Sequence, residues 1–257
     1  MSVIILYSGG LDSRIMLRLA EVKGIDAKCV FFDIGQPYAD KEKAALPSFV
    51  DVRKVDWLRS ESELRTKSGS SSGNIYILGR NLTLACLASS IYCASEVWLG
   101  ALAGETEEGD TDKNNTFLQK SSDALTYVFS PFIESIRITL PLADEKFDDK
   151  LSSVRWALDN GLTPDDLMAT SSCLSGCVGN CGTCIVCLRR WGVFGQMGFS
   201  EKYNVDPLTA IENKQLFIDL LLDRAHFREY HKTDIRQYLF QLFPNKSPAE
   251  IAERIRS

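Results

Sequence analysis

The chain has 257 residues, a formal charge of −5 and a pI of about 5.2. That length can bury a sizeable core as one α/β domain or one domain with an appendage, and the acidic balance excludes a nonspecific grip on nucleic acid. Gly9, Gly10 and Asp12 interrupt the early apolar stretch, and residues 82–104 carry Glu96 with several Ser and Cys, so neither a signal peptide nor a membrane span is expected and the protein reads as cytoplasmic.

Val3 to Leu6 is an apolar run short enough for a buried strand, and Arg14 to Ala20 favours a helix. Between them lies Ser8-Gly9-Gly10-Leu11-Asp12-Ser13. The two glycines let backbone approach an anion closely, the serines add hydroxyl donors, and the helix offers free N–H groups and the positive end of its dipole. An ordinary Gly-Gly turn with Asp12 or Ser13 as N-cap is the plain alternative. The loop has neither the Lys of GxxxxGK[ST] nor GxGxxG spacing. It resembles the PP-loop of the N-type ATP pyrophosphatases, which cleave ATP to AMP and pyrophosphate. That resemblance implies that residues from Ser8 through Gly9, Gly10, Leu11 and Asp12 to Ser13 hold the pyrophosphate end of ATP, bridged by Mg²⁺. Ser8, Asp12 and Ser13 are then candidate catalytic residues.

A second strand, Ala27 to Phe32, ends at Asp33-Ile34-Gly35-Gln36. Ligands of open α/β sheets bind at the carboxyl ends of strands, which makes Phe32 and Asp33 candidates for the adenosine half of a nucleotide. A plain turn at Gly35 competes with that reading. Tyr38 to Leu46 reads as helical up to Pro47, and Val50 to Val55 as a third strand. Residues 59–73 have linker composition, as a surface loop or a lid. A helix from Leu82 to about Ala94, small and apolar all round, suggests deep burial. Gly79, Arg80 and Asn81 stand at its mouth, where a buried charge needs a phosphate, a substrate carboxylate or a protein acid. Arg80 joins the catalytic candidates.

Glu96 to Ala101 reads as another strand, emptying into an acidic loop at 104–112. Its position at the sheet edge makes Glu105, Asp110 and Asp112 candidates for a polar substrate or Mg²⁺ rather than mere solvated charge. A helix Phe117 to Leu125, a strand Arg137 to Leu140 and a helix Phe147 to Leu158 follow. Of eight cysteines, Cys173, Cys177, Cys181, Cys184 and Cys187 are clustered, which in a reducing compartment argues for metal. CxxCxxC with a thiolate upstream suits a closed structural Cys₄ zinc site, and an iron–sulfur cluster competes. Cys29, Cys86 and Cys93 read as small buried apolar residues. A helical tail ends in the capping box Ser247-Pro248-Ala249-Glu250, and His226 and His231 receive no role.

The PP-loop, Phe31 to Gln36, Leu78 to Asn81 and the cysteine cluster together resemble the QueC family, the 7-cyano-7-deazaguanine synthases, over roughly residues 3 to 195. The resemblance implies a Rossmann-like, adenine nucleotide alpha hydrolase-like parallel sheet with a C-terminal zinc subdomain and helical tail. The expected divisions are 1–145, 146–200 and 201–257. It implies zinc on Cys173, Cys181, Cys184 and Cys187, with Cys177 left over, and it aligns Arg190 with a family arginine. It also implies ATP-dependent adenylation of a small-molecule acid, 7-carboxy-7-deazaguanine, followed by ammonia and a second activation to a nitrile. The chain departs from the family at Leu78, at Pro37-Tyr38 and throughout the acidic loop at 104–112. A related expectation is therefore a defence-type enzyme that joins a deazaguanine to the amine of a partner protein. A non-enzymatic scaffold is disfavoured by the intact SGGLDS. A homodimer or a protein partner is left open.

Overall fold

The computed structural model describes residues 2–36, 38–55, 79–106, 112–175, 177–224 and 229–256. Pro37, the linker-like segment 59–73, residues 74–78, Asp110 and His226 lie outside the described residues, as does the side chain of His231.

Among the described residues, five parallel strands make one sheet in the order β3-β2-β1-β4-β5. They are β1 (Val3–Leu6), β2 (Ala27–Asp33), β3 (Asp51–Lys54), β4 (Glu96–Trp98) and β5 (Arg137–Thr139). Strands covered on both faces read as continuous apolar runs, and Val3-Ile4-Ile5 does so at the centre of the sheet. Ile5 pairs with Cys29 on one side and Trp98 on the other. The chain winds outward from β1 to β3, then crosses back to lay β4 on the opposite side of β1. The order therefore reverses between β1 and β4, which places a ligand crevice at their carboxyl ends.

Helix α1 (Leu11–Val22) follows β1, and α2 (Ala39–Ala44) follows β2. Next come α3 (Arg80–Tyr92), α4 (Asn115–Phe129), α5 (Pro141–Asp144), α6 (Lys150–Asp159) and α7 (Pro164–Met168). Then follow α8 (Ile185–Gln196), α9 (Ile211–Leu221), α10 (Glu229–Leu242) and α11 (Pro248–Arg256). One sheet face carries a core in which Ile15, Leu19, Val154, Val193 and Phe194 pack with Ile5 and Phe31. On the other, Ala85, Ala88 and Leu125 cover Ile4, Val30 and Ile138. A third core joins Ile185 and Leu188 of α8 to Phe217, Ile235, Leu239 and Ile251 of the tail. Helix α8 thus has two apolar faces, one for the sheet and one for the tail.

Two expectations are corrected. Helix α3 is not buried all round: Ala85, Ala88 and Ser89 are buried, while Leu82 and Ile91 face solvent. Its small residues allow close approach to the sheet on one side of an outer layer. Cys93 is exposed and left-handed, at the C-cap of α3, not an apolar core residue. The end caps follow the sequence, with Asp149 accepting from Ser152 N, Thr163 from Asp166 N, and Ser247 exchanging bonds with Glu250. No helix among the described residues is long and apolar enough to cross a membrane.

Candidate active site and cysteine cluster

The loop after β1 turns sharply because Gly9 takes a φ of +73°, where a Cβ would lie 2.9 Å from the Glu42 carbonyl oxygen. Gly9→Ala is expected to cost at least about 1–2 kcal/mol from the left-handed backbone alone. Thermal unfolding measures it, and an unchanged melt would mean that the loop rearranges freely. Gly10, rather than Asp12 or Ser13, is the N-cap of α1, and it makes no side-chain cap bond. The Ser8 hydroxyl accepts from Gly10 N at 3.3 Å, and the buried Ser13 hydroxyl donates to the Gly10 carbonyl at 2.8 Å. Ser171 N donates to the Gly9 carbonyl at 2.9 Å, so the segment before the cysteines straps the loop down. Leu11, the first residue of α1, is buried in the core.

The Asp12 carboxylate is gripped by Lys150 at the start of α6, with Nζ 2.7 Å from Oδ1 and 2.8 Å from Oδ2. Lys150 is itself buried, so the pair is shielded from solvent on the lysine side. No motif announced this residue, which stands 138 positions from its partner.

A cavity of about 320 Å³ opens at the carboxyl ends of β1, β2 and β4. Ser8, Asp12, Ser13, Phe32, Arg80, Asn81 and Asp112 all line it, which brings most of the expected site together. Asn81 Nδ2 donates to the Asp112 carbonyl at 3.0 Å and to its carboxylate at 3.3 Å. Gly79 has a left-handed φ of +66° and turns the chain into α3. Sequence reasoning missed four further lining residues, Gln36, Tyr38, Glu42 and Lys113. Gln36 stood at the end of a recognised loop, whereas Tyr38 and Glu42 stood in a stretch read only as helical.

Asp33 is spoken for by protein groups. Lys43 donates to it at 2.8 Å and Gly35 N at 3.0 Å, and although burial opposes its charge, these bonds hold the carboxyl below its ordinary range. Glu105 needs a correction, since it does not line the cavity. It is buried, with Arg189 Nη1 at 3.0 Å and Lys113 Nζ at 3.9 Å. Burial alone would raise its pKa, yet Arg189 and Lys113 hold it at about 2. Arg189 also reaches the fully buried Asp234 of α10 at 3.2 Å. Arg190 is structural as well: it donates to both Glu201 oxygens, to Thr170 Oγ1 at 2.6 Å and to the Leu167 carbonyl at 3.0 Å.

The sulfurs of Cys173, Cys181, Cys184 and Cys187 all lie within 4.8 Å of one another. A tetrahedral ion with bonds of about 2.3 Å to sulfur sets ligand atoms about 3.8 Å apart. Cys181 Sγ and Cys187 Sγ are 3.7 Å apart. Backbone N–H groups converge on the same atoms, from Cys181 to Cys173, from Thr183 and Cys184 to Cys181, and from Cys187 to Cys184. The set could hold a metal such as zinc. Cys177 is outside it, with its sulfur 2.8 Å from Ser175 Oγ.

Comparison with known proteins agrees with this geometry. Residues 2–198 match the family model described as "Queuosine biosynthesis protein QueC". The chain is 27% identical to the 7-cyano-7-deazaguanine synthase of Marinobacter nauticus, over 78% of this chain and 95% of that protein. It is 25% identical to the same-named protein of Methanococcus aeolicus, over 78% and 97%, and 28% identical to that of Synechococcus elongatus, over 77% and 92%. The chain belongs to the QueC family.

Proposed function

We propose that this chain uses ATP to adenylate the carboxylate of 7-carboxy-7-deazaguanine or a close relative and couples it to ammonia, giving the amide and then the nitrile. The single observation that carries this reading is the cavity in which the SGGLDS loop, Arg80 and Asn81 meet at the sheet reversal. A carboxylate oxygen is a poor leaving group and AMP a good one. The N–H groups at the start of α1 and the Ser8 hydroxyl suit the departing pyrophosphate, and Arg80 suits charge on a phosphate or carboxylate. Mg²⁺ would neutralise the charge that grows on pyrophosphate as it leaves. Lys150 fixes the rotamer of Asp12, and zinc on the four cysteines is structural, because the set is closed by protein sulfur alone.

Incubation with ATP, Mg²⁺, the acid and ammonium should yield AMP, pyrophosphate and nitrile by mass spectrometry. ADP as the nucleotide product would overturn the reading. Lys150→Met should lower turnover on the order of 10²-fold by releasing Asp12 from its position. Turnover equal to that of the parent chain would show that the Asp12 grip is irrelevant to the reaction.

Asp112 supports a second reading. Its carboxylate sits in the cavity, where it suits an incoming cationic amine, including the N-terminus of a partner protein. An acyl-adenylate that survives ammonium but is consumed by a protein amine would favour that enzyme over the nitrile synthase. Asp112→Asn should weaken use of the acid or the amine while leaving ATP binding unchanged.

A further inference from the structure

Resting on the adenylation reading above, we propose that Glu42 is the general base of the second half-reaction, taking the proton that the amine must lose as it attacks the acyl-adenylate. The carboxylates that line the cavity among the described residues are Asp12, Glu42 and Asp112. Asp12 is set apart by what already holds it. Asp12 is clamped through both oxygens by the Lys150 ammonium. Asp112 accepts on one oxygen from the Asn81 amide at 3.3 Å and is the carboxylate suited above to the charge of the incoming amine. Among the described residues Glu42 accepts only from the neutral Gln36 amide, at 2.8 Å, which leaves its remaining oxygen for a ligand proton.

Helix α2 places Glu42 well for this work. The Glu42 carbonyl approaches Gly9 so closely that a Cβ there would lie 2.9 Å away, so α2 is packed directly on the phosphate loop. The charged groups that bear on the carboxyl are Arg80 from α3 and Asp33 from β2, and its neighbour in turn is the Tyr38 hydroxyl. Burial outweighs the opposing pull of Gln36 and Arg80 and pushes the Glu42 carboxyl up to about 7. A base matched to neutral pH is what proton transfer from a nitrogen requires. Tyr38, which burial raises further above an already high value, is no substitute.

The amine nitrogen donates its lone pair to the acyl carbon and forms the C–N bond. The bond between that carbon and the AMP oxygen breaks, its electron pair leaving on AMP. One proton of the now cationic nitrogen passes to a Glu42 carboxylate oxygen. No oxidant or further reactant enters.

Glu42→Gln keeps the Gln36 contact and the side-chain shape while removing the base. Acid-dependent exchange of labelled pyrophosphate into ATP, which reads activation alone, should persist in the variant. Amide formation from ammonium should fall about 10²–10⁴-fold. Hydroxylamine, which is mostly unprotonated at neutral pH, should restore acyl transfer in the variant far more than in the parent chain. Amide formation at the parent rate, or exchange and amidation falling together with no hydroxylamine rescue, would overturn the assignment of Glu42 alone. Absence of exchange in the parent chain would overturn the adenylation reading itself. Matching circular dichroism melts of parent and variant keep a folding defect from imitating either result.

Discussion

Cys181→Ser or Cys184→Ser is expected to abolish stoichiometric metal binding and to unfold the region from Thr170 through the start of α8. Little regular secondary structure holds that region. Residues 171–184 contain neither helix nor ladder strand among the described residues, only an isolated bridge from Asn180 to Tyr203. Besides bonds to Gly9, Asn204, Val205 and Asn213, their order comes from backbone N–H groups aimed at sulfurs that a metal would draw together. Cys184 is the N-cap of α8, accepting from Cys187 N, and Cys187 is buried within that helix. Gly182, left-handed at φ +82°, lies so close to the Val205 carbonyl that no side chain fits. Loss of the ion would therefore loosen α8 and the tail segment beside it together. Structural zinc contributes roughly 10–16 kcal/mol in small finger peptides. That rivals the entire stability of a domain, about 5–15 kcal/mol. Cys177→Ser, by contrast, should keep the ion, because its sulfur lies outside the set. Elemental analysis and thermal melts with and without chelator decide the matter. One zinc per chain retained in Cys181→Ser, or lost in Cys177→Ser alone, would overturn the ligand assignment.

The parts of the molecule legible in the sequence are those encoded by neighbours in the chain. Val3-Ile4-Ile5 followed by Ser8-Gly9-Gly10 specifies a buried strand and a tight glycine turn into a helix within one short stretch, and the fold uses both as written. The CxxCxxC run draws its sulfurs together through tight turns for the same reason. Ion pairs between distant positions leave no such mark. Lys150 reads as one residue in the first turn of a helix, and only the packing of α6 against α1 brings it to Asp12. Glu105 looked like the first acid of a polar loop. Its partner Arg189 lies 84 residues further on, in a helix whose apolar pattern gave the arginine no evident purpose. Composition also misled at α3, where small residues mean close packing against the sheet on one side and say nothing about the other.

Arg189→Met should destabilise the chain by about 3–5 kcal/mol, the usual cost of removing one partner from a buried charge group. Arg189 is buried between Glu105, in the turn after β4, and Asp234, in α10. Without the guanidinium both carboxyls face a dry interior, and Asp234 is already pushed up to about 6 by burial despite its neighbour. Asp234 lies beyond residue 198, where the family match ends, yet it reaches through α8 to the segment that leads to the cavity. Lys113 completes the path, because it contacts Glu105 and lines the cavity. The tail is thereby joined to the site wall by charge as well as by the apolar core of α8, α9, α10 and α11. The pH dependence separates this from simple loss of volume. The Glu105 carboxyl is held at about 2 in the fold, against an ordinary 4.5. A depressed carboxyl contributes stability above its unfolded pKa and loses it as pH falls through the folded one. The gap between parent and Arg189→Met should thus be widest at high pH, begin to narrow above about 6 as the variant's dry carboxyls take up protons, and close toward about 2, where Glu105 of the parent does. Adding Glu105→Gln and Asp234→Asn to Arg189→Met should recover part of the loss, since neutral amides no longer bury charge. Urea unfolding across that pH range tests both points. A pH-independent deficit, with no recovery in the triple variant, would reduce Arg189 to a packing residue and leave the tail attached by its apolar face alone.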